Sequence, residues 1–262
     1  MTLPTTGALL AYNNRALGPG EFTATTGTWT TAPPIEHMGT MQVPVPFAQV
    51  TPAAGEIAFD FQAQDGAGDP QEFAADTIAL LAHTLPPGAV VKFLDGATEL
   101  AEIEWTPLAG AGHIAIAALD ETVNLDTLTV SITAAGAAPV QIGGLWISRS
   151  FRHPFGLDGF SIQPVSYSEI SRVGATPWTN GRASVTEVSF FVRGLTEAQA
   201  IGPGEQSWRS ITRQIGIHAP VLIMPLIRRA NDAIYGTIAR FEPIVPQRKG
   251  VWSAGATVIG MV

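Results

Sequence analysis

The chain has no cysteine, which excludes disulfide staples, thiol nucleophiles and thiolate metal sites together. Charge is also scarce. Only 14% of residues are Asp, Glu, Lys or Arg, against about 25% in an average soluble domain. No stretch reaches the roughly 18 uninterrupted apolar residues of a membrane-spanning helix. The opening MTLPTTGALLAYNNR has neither the basic n-region nor the small-residue cleavage site of a secretory signal. A soluble product that is not exported is the expectation. What the chain does have is apolar residues at 46%, 27 Gly and 20 Pro over 262 residues, enough for one large domain or two modest ones.

The few charges are unevenly placed. Residues 1–145 hold Arg15 and Lys92 against 15 acids, net −13, while 146–262 hold 12 bases against 7 acids, net +5, which together make the total of −8. This asymmetry predicts two domains with different neighbours, and an acidic first half argues against nucleic acid as its partner. Twelve of the 14 bases are Arg, whose planar fork suits bidentate contacts across a protein interface. Genome base composition accounts for that excess equally well.

The first half reads as short strands broken by turns. Ile57, Phe59 and Phe61 alternate with Ala58 and Asp60 until Gly66, Gly68 and Pro70 stop the run. Thr77 to Leu81 is a short apolar run. After the Pro86-Pro87-Gly88 turn, Val91 and Phe93 share a face. Glu102 to Trp105, His113 to Ala117 and Leu128 to Ile132 alternate in the same way. Strands at spacings near ten residues, with no amphipathic helix between them, predict an antiparallel jelly-roll sandwich, its body over 51–148. Residues 1–50, broken by Pro33, Pro34, Pro44 and Pro46, are expected to form an extended arm or edge strands.

Residues 149–262 are expected to form an α+β docking domain. Phe151, Phe155 and Phe160, separated by Pro154, Gly156 and Gly159, suggest a folded connector, and Val185 to Val192 reads as a strand. One main helix is predicted over Glu205 to Ile215, with Trp208, Ile211 and Ile215 on one face, Arg209 and Arg213 on others, and Gly216 as its stop. Val221 to Met224, Ala233 to Phe241 and Val251 to Met261 follow as strands. The predicted fold is therefore mainly β, a sandwich followed by a smaller α+β domain.

The segment DTIALLAHTLPPGAVVKFLDG, Asp76 to Gly96, resembles the centre of the galactose-binding-like jelly rolls, akin to carbohydrate-binding modules, found in structural proteins of tailed-phage tails. The likeness extends through Trp105, the Ile142 to Trp146 segment and the aromatic stretch Phe151 to Phe155. It continues into Val185 to Leu195, Glu205 to Gly216, Pro220 to Pro225 and Ala233 to Ile244. It is diffuse, spans about 55–262 and carries no catalytic motif. It implies a virion component of the distal tail or baseplate, made in the host cytoplasm. Such a protein assembles with other tail proteins and as a homo-oligomer, a trimer or ring, without nucleic acid or membrane insertion. A host cell-surface glycan is the alternative partner. The arm in which Trp29 is embedded departs from the type, so no sugar-binding residue carries over.

Enzymatic signatures are missing: no G-x-S-x-G elbow, no phosphate-binding G-x-x-x-x-G-K-[ST] and no H-E-x-x-H. A non-enzymatic role is expected, with no cofactor. Gly66-Ala-Gly68 and Gly110-Ala-Gly112 read as turns. His37, His83, His113, His153 and His218 show no metal-ligand spacing, and His83 beside its Pro-Gly turn is expected to bond a loop carbonyl. Asp60, Asp65 and Asp69 supply some of the hard oxygens a structural calcium needs but complete no calcium loop, and solvated acids are the simpler reading. Glu102 and Glu104 flanking Ile103 read as a solvated edge rather than an acid/base pair. Of the six Trp, Trp105 and Trp208 are expected in the core, and Trp29 and Trp178 are candidates for exposure. The candidate interface is Arg149, Arg152, Arg172, Arg182, Arg228, Arg229 and Trp178, with Trp29 as candidate exposed aromatic.

Overall fold

A computed structural model describes residues 7–31, 34–39, 48–107, 113–134, 136, 138–155, 157–165, 169–173, 176–180, 185–204, 206–216, 219–227 and 233–260, of which 48, 169–173, 176–180 and 185 are described by their backbone alone. The fold is mainly β, 62% strand and 10% helix, in antiparallel sheets with one main helix. Contacts divide it into two units, the first built from residues 1–156 and 220–235, the second from 157–219 and 236–261.

Strands are numbered in chain order. The first unit holds β1 (Ala8–Tyr12), β2 (Gly20–Thr26), β3 (Thr28–Trp29), β4 (Ala48–Thr51), β5 (Glu56–Ala63), β6 (Phe73–Leu81) and β7 (Val90–Asp95). It continues with β8 (Thr98–Glu104), β9 (Ile114–Leu125), β10 (Leu128–Thr133), β11 (Val140–Ile142), β12 (Gly144–Ser148) and β13 (Ser150–His153). Then follow β14 (Asp158–Val165), β15 (Glu169–Val173), β16 (Thr176–Asn180), β17 (Val185–Leu195), α1 (Glu197–Ile201) and α2 (Trp208–Ile215). Last come β18 (Pro220–Met224), β19 (Ile234–Arg248) and β20 (Val251–Gly260).

The first unit stacks its sheets in layers. A five-stranded antiparallel sheet, β2-β5-β10-β7-β8, turns Ile57, Phe59, Phe61, Val91, Phe93, Val130 and Ile132 inward. They meet Ile78, Leu80, Ala115, Ala117, Leu145 and Ile147 from a three-stranded sheet, β12-β6-β9. The alternate residues of those same three strands, Ala79, Leu81, Ile114, Ile116 and Trp146, enter a second core. There they pack with Leu9 and Ala11 of β1, Leu222 and Met224 of β18, and Ala233 and Tyr235. β12-β6-β9 is thus a middle layer buried on both faces, which is why β6 and β12 read as continuous apolar runs where β5 alternates.

Of the arm or edge strands expected over 1–50, edge strands form: β2 ends the five-stranded sheet beside β5, and β3 ends a three-stranded sheet, β11-β4-β3, whereas β1, buried at every position, is an inner strand between β13 and β18. The expectation of one separate domain over 149–262 is corrected, since β13 and β18 complete the sheet that β1 joins. The Phe151 to Phe160 stretch supplies β13 and β14 rather than a connector.

In the second unit β14, β17, β20 and β19 pair in that order, all antiparallel. The predicted helix forms as α2, with Ser207 as N-cap and Gly216 as C-cap at φ +63°, a conformation that favours glycine. Trp208, Ile211 and Ile215 are buried, and Trp208 meets Phe190 and Phe241 edge-on. A short α1 behind a Thr196–Gln199 capping box was not foreseen.

The middle sheet of the first unit has an open edge and a break, and a buried side chain fills each. Along the outer edge of β12, Asn14 Nδ2 donates to the Leu145 carbonyl at 2.9 Å and its Oδ1 accepts from Ile147 N–H at 2.8 Å. One amide thereby does the work of a paired strand residue. Between β6 and β9 the register jumps, Ala75 facing Val123 but Thr77 facing Ala118, so the ladder is interrupted at Asp76. Arg152 fills this bulge. Its Nη1 donates to the Leu119 carbonyl at 2.7 Å and its Nη2 to the Asp76 carbonyl at 2.6 Å, two acceptors the broken ladder leaves over. The guanidinium also lies 3.6 Å from Asp76 Oδ1, which accepts from Ser150 and Thr77 hydroxyls, and both charged side chains are almost wholly buried. Burial pulls the Arg152 pKa below its ordinary value, and Asp76 opposes the shift. Arg152, expected at an interface, is instead used up inside the first unit. Arg152→Met is expected to cost about 3–5 kcal/mol, because it strands a buried carboxylate. Asp76→Leu/Arg152→Met should recover only part of the loss, since the two carbonyls stay unpaired at about 1–3 kcal/mol each. Denaturant unfolding of both variants checks this, and a neutral Arg152→Met would refute it.

Candidate functional site

The predicted interface residues do not gather. Arg149 is exposed and has partners of its own, and Arg152 is buried. Arg172 and Trp178 are placed by backbone on the paired strands β15 and β16, one position out of register. Arg182, Arg228 and Arg229 lie outside the described residues. Trp29, expected to be exposed, is half-buried at the rim of the sandwich core. Its ring lies perpendicular to that of Phe59 at 5.6 Å and its Nε1 donates to the Thr26 carbonyl, so it is packed against the core rather than standing free. Trp105 is in the core as expected.

The small polar clusters resolve into local structure. Asp65 Oδ1 accepts from the Ala67 and Asp69 amides at 2.8 and 3.0 Å, closing its own turn. These backbone bonds hold its carboxyl below the usual range. Asp60 instead accepts from the Thr129 hydroxyl on the neighbouring strand. Among the described residues no group of three or more His, Asp and Glu is placed to hold a metal ion. His218 lies outside those residues.

The uneven charge of the sequence resolves into a pair of surfaces of opposite sign. The strands of the five-stranded sheet carry seven acids, Glu21, Glu56, Asp60, Asp95, Glu99, Glu102 and Glu104, against the single base Lys92. β8, at the edge of that sheet, presents Glu99, Glu102 and Glu104 to solvent while Ile103 packs against the core. Lys92 Nζ bridges Glu102 at 2.7 Å and Glu99 at 2.8 Å, and these bonds raise its pKa above the ordinary lysine value. In the second unit the buried stripe of α2 fixes the phase of the helix, so Arg209 and Arg213 stand exposed one turn apart. Among the described residues neither has a carboxylate partner. Arg248 and Lys249 at the tip of the β19–β20 hairpin are exposed as well. By sequence the first unit, residues 1–156, 220–235 and 262, holds 16 acids and 6 bases, net −10, and the second, with 6 acids and 8 bases, is net +2. Exposed ion pairs contribute about 0–1 kcal/mol, and two cations one turn apart on a helix cost a few tenths. Stability therefore gives little reason for either surface, although the carboxylates on β8 also guard its edge.

No family model matches the chain, and no curated protein is detectably similar to it.

A buried titratable cluster lies beyond the end of β6. There His83 is wholly buried, edge-on to Trp105 at 4.4 Å and 6.2 Å from His113. Its Nδ1 accepts from Leu85 N–H, and the backbone N–H of His83 donates to the His113 carbonyl. The expected ring-to-carbonyl bond is therefore replaced by an amide-to-ring one, which puts the proton on Nε2. Among the described residues neither Nε2 of His83 nor Nε1 of Trp105 has a partner, so none of them compensates a charged imidazole. Burial, and secondarily His113, pulls the His83 pKa down from 6.5 to about 3. Between those values the unfolded chain binds a proton that the fold does not. Stability contributed by neutral His83 is therefore complete above about pH 6.5 and falls as pH drops toward 3, by at most about 1.4 kcal/mol per pH unit. Urea midpoints measured from about pH 7 to 4 should fall less steeply in His83→Gln than in the parent. Equal slopes would exclude His83 as their source.

Proposed function

We propose that this protein is a structural component of the distal tail or baseplate of a tailed phage or phage-like particle, acting through protein–protein assembly with its own copies and with other tail proteins. The observation that carries the assembly part is the division of exposed charge just described. The acid-bearing outer sheet of the first unit and the Arg209/Arg213 pair of the second, which has no carboxylate partner among the described residues, add little to stability and are opposite in sign, so they can meet across copies. Complementary fields of this kind steer and orient association. The tail setting is supported by the likeness of Asp76 to Gly96, and of the segments after it, to tail jelly rolls.

Light scattering during size exclusion tests the reading. A mass above the 27.5 kDa of one chain is expected at low salt, declining as salt screens the surfaces. Arg209→Glu/Arg213→Glu is expected to shift the population toward the single-chain mass with little change in melting temperature. A species of 27.5 kDa at every salt concentration, indifferent to the charge reversal, would count against assembly through these surfaces.

A further inference from the structure

Strand β8 and helix α2 each leave charge over. On β8, Glu102 and Glu104 are exposed while Ile103 between them packs against the core, and Glu99 is exposed on the same strand. Lys92 Nζ holds Glu102 at 2.7 Å and Glu99 at 2.8 Å, so three carboxylates against one ammonium leave this edge at −2. The lysine also fixes two of the three side chains in advance, which lowers the ordering cost of a contact. Such a row refuses a further strand but accepts cations. On α2, Arg209 and Arg213 supply +2, and the helix WRSITRQI holds no acid. Among the described residues neither arginine has a carboxylate partner. The two rows match in pitch as well as in charge. Same-side residues of a strand, such as Glu102 and Glu104, are about 6.6 Å apart along it. Residues four apart on a helix, such as Arg209 and Arg213, advance about 6 Å. Two guanidinium forks therefore meet two carboxylates side by side, in the bidentate geometry that arginine favours.

We propose that α2 of one copy lies along β8 of a second copy, with Arg209 and Arg213 on Glu102 and Glu104. The proposal rests on the assembly reading and names the contact for it. A second copy is selected because the chain itself carries the complement: equal and opposite charge at nearly equal spacing, on two rows that the ion pairs among the described residues leave unbalanced. Every copy brings one row of each sign, so the contact repeats from copy to copy. Opposed fields orient the approach, and the matched spacing sets where along β8 the helix rests.

Reciprocal charge reversal tests the contact, read as mass by light scattering at low salt. Arg209→Glu/Arg213→Glu and Glu102→Arg/Glu104→Arg each oppose like charges, and each is expected to fall to the 27.5 kDa of one chain. Combining all four substitutions returns opposite signs to the two rows and should restore the parent's mass. Arg248→Glu/Lys249→Glu makes the same change in net charge at the β19–β20 tip and should keep the parent's mass, which separates a local contact from general attraction. All the altered side chains are exposed, so melting temperatures should stay close to the parent's. The proposal is overturned if either reversal leaves the mass unchanged, if the fourfold variant stays at one chain, or if the tip reversal dissociates the oligomer equally. Where the parent still forms a salt-sensitive oligomer in such a case, this contact falls and the assembly reading stands. A parent of single-chain mass throughout overturns both.

Discussion

Everything in the first unit leans on a sheet with no solvent side. β12-β6-β9 gives one face to the sandwich core and the other to the core shared with β1 and β18, so nearly every side chain on β6 and β12 must be apolar and closely fitted. A wholly buried large aliphatic side chain contributes about 1.5–3 kcal/mol, and this layer places such residues on both sides at once. The same burial makes any unpaired backbone group expensive. The ladder break at Asp76 and the open edge of β12 are therefore two of the places where the layer could fail. Arg152 and Asn14 sit in those places. Their polar side chains, so easily taken for surface residues, are the condition on which the apolar layer closes.

This explains what was legible in the sequence and what was not. β5 and β10, buried on one face, alternate visibly, and α2 announces its face by the spacing of Trp208, Ile211 and Ile215. β1 was missed because ALLAY is buried at every position and carries no period. The prolines after it break the pattern, which leaves an arm or edge strands as the local reading. The domain boundary was misplaced because β13 and β18 lie far along the chain yet pair with β1, a long-range fact no local pattern encodes. Arg152 was assigned to an interface because an arginine in a basic half looks like a surface residue. Its burial is signalled only by the register jump at Asp76, which needs both β6 and β9 in view. Trp29 looked exposed in its Thr-rich setting until its partner Phe59 was placed.

The surfaces have the opposite logic. Glu102, Glu104, Arg209 and Arg213 stand where solvent screens them, so they add little to stability and are free to serve association. Charge segregates between the two units more than packing requires. Charge of one sign on each unit can guide approach between copies, and that is the part of the proposed assembly these side chains support. The functional reading is thus drawn from what the fold leaves unused, while the buried polar residues are accounted for by the fold itself.

The central claim is that the doubly buried sheet is the last part of the first unit to open. Native-state hydrogen exchange tests it most directly, by comparing amides of Ile78 to Leu81, Ala115 to Ala117 and Leu145 to Ile147 with those of β5 and β10. The account predicts that the middle-layer amides exchange only through global unfolding and are the slowest in the unit. Faster exchange there than in β5 and β10, through a sub-global opening, would contradict it.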